Sequence, residues 1–144
     1  QGNGVAQDKE QAFSWFHKAA EKGLAESMFH LGLSYSEGSG TAKNESKAFF
    51  WYHKAAEKGH PDSMNNLGAM YNAGRGVPLD HAQAVYWFRK AAEHNSVLGM
   101  MNLADAYEQG QGVAKDLSEA KSWYRRAAQM GFPPAQQKLN DLGQ

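Results

Sequence analysis

The chain contains no cysteine. That absence excludes disulfide staples, thiolate nucleophiles and cysteine-based zinc sites together. It leaves the compartment open between an oxidising exterior space and the cytoplasm, because a cysteine-free protein survives in either redox environment. An excess of either charge is missing as well, since 15 Lys and Arg balance 15 Asp and Glu. Nucleic-acid binding needs a basic patch that neutralises phosphates, and no run of Lys or Arg exceeds Arg125-Arg126. The same neutrality argues against anionic membranes as partners. No apolar stretch approaches the ~20 residues of a spanning helix, so direct membrane insertion is not expected. What is present is 144 residues with an apolar fraction of 42%, enough for one domain of ordinary size.

Those residues are strongly periodic. Trp15, Trp51, Trp87 and Trp123 each follow the last by 36 residues. The pairs Ala19-Ala20, Ala55-Ala56, Ala91-Ala92 and Ala127-Ala128 keep the same step, as do Leu31, Leu67, Leu103 and Leu139. Tyr35, Tyr71 and Tyr107 keep it too, with Gly38, Gly74 and Gly110, and there is no insertion. So many residue types on one period define a tandem repeat.

Each unit reads as two helices. Helix A is predicted at about 24–37, 60–73, 96–109 and 133–142, and helix B at about 8–22, 44–58, 80–94 and 116–130. In helix B, Ala48, Trp51, Tyr52 and Ala55 form an amphipathic stripe, and in helix A so do Leu24, Met28, Leu31 and Tyr35. The tryptophans are therefore expected in the core. Asp8, Asn44, Asp80 and Asp116 stand where an N-cap accepts from unpaired backbone N–H groups. Gln11, Gln83 and Glu119 complete capping boxes in three of the four cases, and Lys47 breaks the fourth. Gly23, Gly59 and Gly131 end helix B where a left-handed residue is favoured, with Asn95 as the fourth member. Pro133 opens the last helix A, where a missing N–H costs little.

One such pair cannot cover its own apolar face, but stacked neighbours cover each other. Small residues mark where helices approach: Ser27, Ser63, Gly99 and Ala135 share one place, and Gly32, Gly68 and Ala104 another. A glycine inside a helix costs about 1 kcal/mol against alanine, so close packing is the expected reason for it.

The A-to-B turns read Gly74-Arg75-Gly76-Val77 before Asp80 and Gly110-Gln111-Gly112-Val113 before Asp116, with Gly2-Asn3-Gly4-Val5 before Asp8. Thr41 replaces the valine in the remaining turn. With Ala-x-x-Trp-[Phe/Tyr]-x-[Lys/Arg]-Ala-Ala in helix B and Leu-Gly-x-x-Tyr in helix A, the whole chain resembles the Sel1-like repeat family. That family is a relative of tetratricopeptide repeats with a longer period and a glycine-bearing turn. Some bacterial members staple each repeat with a disulfide, which this chain lacks. The resemblance implies an all-α fold, a right-handed superhelical solenoid of 36-residue helix-turn-helix repeats. Helix A would line its concave side and helix B its convex side. It also implies an adaptor or scaffold that binds a protein or peptide. The array is read as a single domain over 1–144 and as a fragment of a longer one, with any signal sequence upstream.

Catalytic chemistry is not expected. The six histidines form no H-E-x-x-H and no i, i+4 pair. His17 and His53 occupy equivalent places, followed by Arg89 and Arg125, which suggests an exposed polar position rather than a metal site. The turn glycines lack the Lys and Ser/Thr of a phosphate loop. No catalytic residue, metal ligand or cofactor is assigned.

Residues that break the repeat are the candidates for partner binding. A 100° step from Leu31 turns one face of each helix A away from the core. That face carries Phe29, His30 and Leu33, then Asn65 and Asn66, then Met101, Asn102 and Asp105, and finally Lys138. His30, Asn66, Asn102 and Lys138 make a ladder of one residue per repeat, and an amide there can both donate to and accept from a peptide backbone. Phe50 and Tyr86, on the outward side of helix B, are a second candidate surface. End-to-end self-association is a further expectation. The alternatives are an envelope-associated hydrolase or small-ligand module, which would need a deep pocket of convergent histidine and carboxylate, and a structural spacer, whose groove would be featureless.

Overall fold

A computed structural model describes residues 3–143. Among them are eight helices and no strand: α1 (Asn3–Glu21), α2 (Ala25–Glu37), α3 (Glu45–Glu57), α4 (Pro61–Ala73), α5 (His81–Glu93), α6 (Val97–Gln109), α7 (Leu117–Gln129) and α8 (Pro133–Asp141). Even-numbered helices are helix A of the repeat and odd-numbered ones helix B. Each packs on its neighbours in sequence, and α4 also packs on α6. This is the quasi-one-dimensional stacking of a solenoid.

Local chemistry sets the helix ends. Asn44, Asp80 and Asp116 cap α3, α5 and α7, each accepting from the backbone N–H three residues on, at 3.0, 3.1 and 3.0 Å. The reciprocal half of the capping box does not form. The cap residue's own N–H donates instead to the carbonyl of Tyr35, Tyr71 or Tyr107 at 2.8–2.9 Å, fixing each A-to-B turn. Gly23, Gly59, Asn95 and Gly131 all take the left-handed conformation at the B-to-A turns.

The second glycine of each A-to-B turn has a steric reason. A Cβ on Gly40, Gly76 or Gly112 would lie 2.2–2.5 Å from the carbonyl oxygen of Lys9, Glu45 or His81, each one repeat back on helix B. The turn thus seats directly on backbone, and only glycine fits. The fourth such turn, expected at 2–5 with Asp8 as cap and Gln11 in its box, is not formed over the described residues. Instead α1 is continuous from Asn3 and Asp8 lies inside it; Gly2 is outside the described residues. Nothing lies within 4 Å of a Cβ on Gly4, and without a carbonyl to seat on, the segment keeps helical hydrogen bonds.

The core follows the period. Leu31, Leu67 and Leu103 are fully buried and Leu139 nearly so, with Met28, Met64 and Met100 beside them. Gly32 and Gly68 receive the rings of Tyr52 and Phe88, which a Cβ would meet at 2.5–2.6 Å. The tryptophans correct the sequence expectation. Trp87 is 8% exposed but Trp15 is 73% exposed, and Trp51 and Trp123 are half-buried. The deep aromatic position is the next residue, Tyr52, Phe88 and Tyr124. Two of the tryptophans are closed over by the histidine of the preceding helix B: His17 meets Trp51 edge-on at 5.9 Å and His53 meets Trp87 at 5.5 Å. No described helix covers Trp15 in this way. The expected exposed position of His17 and His53 is corrected too, since both are half-buried between helices while pairing with Glu21 and Glu57. Leu24 is a further correction, being 55% exposed as the N-terminal flank of α2.

Candidate interaction surface on the A helices

The A helices α2, α4, α6 and α8 stand side by side, and the nine candidate residues lie along them. On α2, Phe29 and Leu33 are half-buried against the core. The Phe29 ring is 4.8 Å from that of His60, the residue that caps α4. His30 stacks on Phe16 at 4.8 Å with planes 16° apart. Its Nε2 is 3.3 Å from one carboxylate oxygen of Glu26, whose other oxygen is 2.9 Å from His60 Nε2. The hydrogen bond from His60, aided by the charges of His60 and His30 against desolvation, holds the Glu26 carboxyl below its ordinary range.

On α4 and α6 the polar candidates meet across repeats. Asn65 is buried at 7% exposure, and its Oδ1 accepts from Asn102 Nδ2 at 2.7 Å. Asn66 is half-buried and bonds to Tyr52, whose hydroxyl burial pushes up to about 12. Met101 packs at the margin of the core.

The most polar group joins α6, α7 and α8. Asp105 accepts from the hydroxyl of Tyr124 and from Lys138 Nζ at 3.2 Å. Glu108 Oε2 lies 2.5 Å from the same hydroxyl and 3.2 Å from the same ammonium. Burial, then the two carboxylates, strongly disfavour ionisation of Tyr124. The Tyr124 hydrogen bond lowers Glu108. Lys138 is raised, because its bonds to Asp105 and Glu108 outweigh the opposing desolvation.

The polar links therefore run diagonally, from 65 to 102 and from 105 to 138, and join different columns of the repeat. Sequence reasoning missed Glu26, His60, Glu108 and Tyr124. The i, i+4 spacing of Glu26 and His30 was a visible signal, whereas the others meet only through stacking. Between α4, α5 and α6 lies a cavity of about 140 Å³ with polar walls that include Asn72, Asn102 and Asp105. On the opposite row, Phe50 and Tyr86 are 51% and 48% exposed, each with a lysine ammonium over its ring (Lys54 at 5.2 Å, Lys90 at 5.1 Å). Among the described residues no group of three or more His, Asp or Glu side chains is placed to hold a metal, and no helix is long and apolar enough to cross a membrane.

Antiparallel helix pairs on a fixed period, stacked over two adjoining apolar clusters that Tyr71 touches on both sides, define an α-solenoid of the tetratricopeptide-like class. The Sel1 repeat model matches four times, over residues 1–24, 25–60, 61–96 and 97–132, and the chain belongs to that family. Proteins built of these repeats commonly mediate protein–protein interaction and are generally non-enzymatic scaffolds. Three solved structures are similar. The c5321 protective antigen of uropathogenic Escherichia coli, described as displaying an SLR fold, is 43% identical with a TM-score of 0.82, over 85% of this chain and 26% of that one. A Sel1 repeat protein from Oxalobacter formigenes is 39% identical with a TM-score of 0.86, over 92% and 54% of the two chains. Cysteine-rich protein B of Helicobacter pylori is 25% identical with a TM-score of 0.74, over 94% and 97%. The chain thus spans about a quarter and about half of the first two. No curated protein matches it.

Proposed function

We propose that this chain is a non-catalytic scaffold that binds a peptide or protein segment along the row of A helices. The contacts assigned are Phe29, His30, Leu33, Asn66, Met101, Asn102, Asp105 and Lys138, while Asn65, expected on the outward face but buried at 7% exposure, acts through the Asn102 side chain it holds. The observation that carries this reading is the cross-repeat organisation of that row. Asn65–Asn102 and Asp105–Lys138 hold amide, carboxylate and ammonium groups in fixed positions on successive helices. Half-buried Phe29, Leu33 and Met101 lie among them. Pre-ordered polar groups beside partly exposed apolar ones are what an extended segment recognises, and ordering them in advance lowers the cost of binding.

A hydrolase needs histidine and carboxylate converging in an enclosed pocket. Here the Glu26 side chain that links His30 and His60 is 70% exposed. The groove of about 460 Å³ that His53, Glu57 and His94 line is open to solvent, and the Glu57 side chain there is 61% exposed. A spacer would not need a buried amide bridge between repeats.

Affinity capture from an extract of the source cell tests the reading. The bait is the wild-type chain, compared with Asn102→Arg combined with Ala69→Arg, half-buried on α4 at the place that Leu33 and Asp105 hold in the neighbouring repeats, and checked for helix content by circular dichroism. A protein retained by the wild type and lost with the folded variant is expected. Equal retention by both would move the site off the A helices.

A further inference from the structure

The chain is neutral overall, yet its A helices carry an excess of negative charge. The A helices carry six carboxylates (Glu26, Glu37, Asp62, Asp105, Glu108 and Asp141) against one ammonium, that of Lys138. By the 100° step, all of these project from the side facing away from the core. The balancing positive charge is spread over the turns, with five cations against two carboxylates, and the B helices, with nine against seven, where Lys18, Lys54, Lys90 and Arg126 recur at one place in every repeat. A partner lying on the A row meets a field of one sign, which selects cationic partners and speeds their encounter.

The cavity between α4, α5 and α6 gives that field a focus. Its floor is apolar, formed by Val85 and Phe88, and its walls are oxygen-rich, with Asp105, Asn102, Gln109 and Gln111. Asn102 gives one of its two amide N–H groups to Asn65, and its carbonyl oxygen is an acceptor. Both protein contacts of Asp105, from Tyr124 and Lys138, reach Oδ1. An apolar floor beside one carboxylate and several amides whose oxygens can accept matches a long side chain with an apolar stem and a flat, multiply donating cationic head, which is arginine.

Resting on the A-row reading, we propose that the bound segment is basic and that one of its arginines enters the cavity beside Asp105. The guanidinium meets the Asp105 carboxylate and the amide oxygens, and its stem lies on Val85 and Phe88. The remaining carboxylates of the row attract neighbouring cationic residues.

The test measures fluorescence anisotropy of a labelled, flexible peptide of alternating arginine and serine, with counterparts carrying citrulline or glutamate in place of arginine. Gln109→Lys places a cation at the cavity mouth, on an exposed position at the end of α6. Asp62→Asn with Asp141→Asn thins the field. Glu57→Gln with Glu93→Gln makes the same change of net charge on the B helices. The expected result is saturable binding of the arginine peptide alone, weakened by salt, about tenfold weaker in Gln109→Lys, severalfold weaker in the Asp62/Asp141 variant and unchanged in the Glu57/Glu93 variant. Equal binding of the citrulline peptide, wild-type affinity in Gln109→Lys, or no saturable binding overturns the inference. A cellular partner lost with Ala69→Arg and Asn102→Arg but held fully by Gln109→Lys overturns it while leaving the proposed function standing. A partner retained by all these variants contradicts the proposed function itself.

Discussion

Asn102 on α6 donates to the side-chain oxygen of Asn65 on α4 at 2.7 Å, across 37 residues of sequence. The bond ties two successive A helices at the face assigned to the partner, and the accepting residue is buried. Replacing Asn102 with leucine strands the Asn65 oxygen. A loss of about 1–3 kcal/mol is expected. Replacing both with leucine should recover part of it, a coupling that a double-mutant cycle in urea would read directly.

Turn glycines that look alike in sequence differ in cost. Gly76 and Gly59 both have left-handed φ, 70° and 88°. A Cβ on Gly76 would lie 2.5 Å from the Glu45 carbonyl, whereas one on Gly59 meets nothing within 4 Å. Gly59→Ala should cost about 1–2 kcal/mol from backbone conformation alone. Gly76→Ala should cost more than that, since the turn must also lift off helix α3. Chemical denaturation of the two variants side by side ranks them, and equal costs would refute the seating argument.

The tryptophans separate in the same manner. Trp87, 8% exposed, should cost about 3–5 kcal/mol on replacement by alanine. Trp15, 73% exposed, should cost no more than about 0.5 kcal/mol. Thermal melts of the two variants check this.

Acid should loosen the contact between the last helices. The folded-state pKa of Glu108 is depressed below its ordinary 4.5, first by the Tyr124 hydrogen bond. Its contribution to stability is therefore fully present above about pH 4.5 and is lost as pH falls through the lower folded-state value. Melting temperature followed from neutral pH downward should drop less steeply below that point in Glu108→Gln than in the wild type. Parallel curves would show that Glu108 carries none of the acid sensitivity.

The fold was legible because its signals are local and repeated. Caps at Asn44, Asp80 and Asp116 and left-handed ends at Gly23, Gly59, Asn95 and Gly131 depend only on neighbours in sequence, and they are found where expected. The cap at Asp8 failed because its turn needs a surface that sequence spacing does not supply. Trp15 was misread for a related reason: burial at the margin of a repeat is conferred by the adjacent helix, and identical residues differ when that helix differs. The candidate surface was legible as a face but not as a network. Helical steps place Asn102 and Asp105 outward, yet the pairing of Asn102 with Asn65 and of Lys138 with Asp105 depends on the stagger between successive helices. The acidic excess of the A helices was also present in the sequence, hidden by a net charge of zero.

The central claim is that the partner lies on the A helices. Hydrogen–deuterium exchange on the complex with the captured partner tests it most directly, because protection reports which backbone segments are covered or stabilised. The account predicts new protection in α4 and α6, at residues 61–73 and 97–109, with little change in α3. Protection confined to α3 and α5, around the exposed rings of Phe50 and Tyr86, would contradict it.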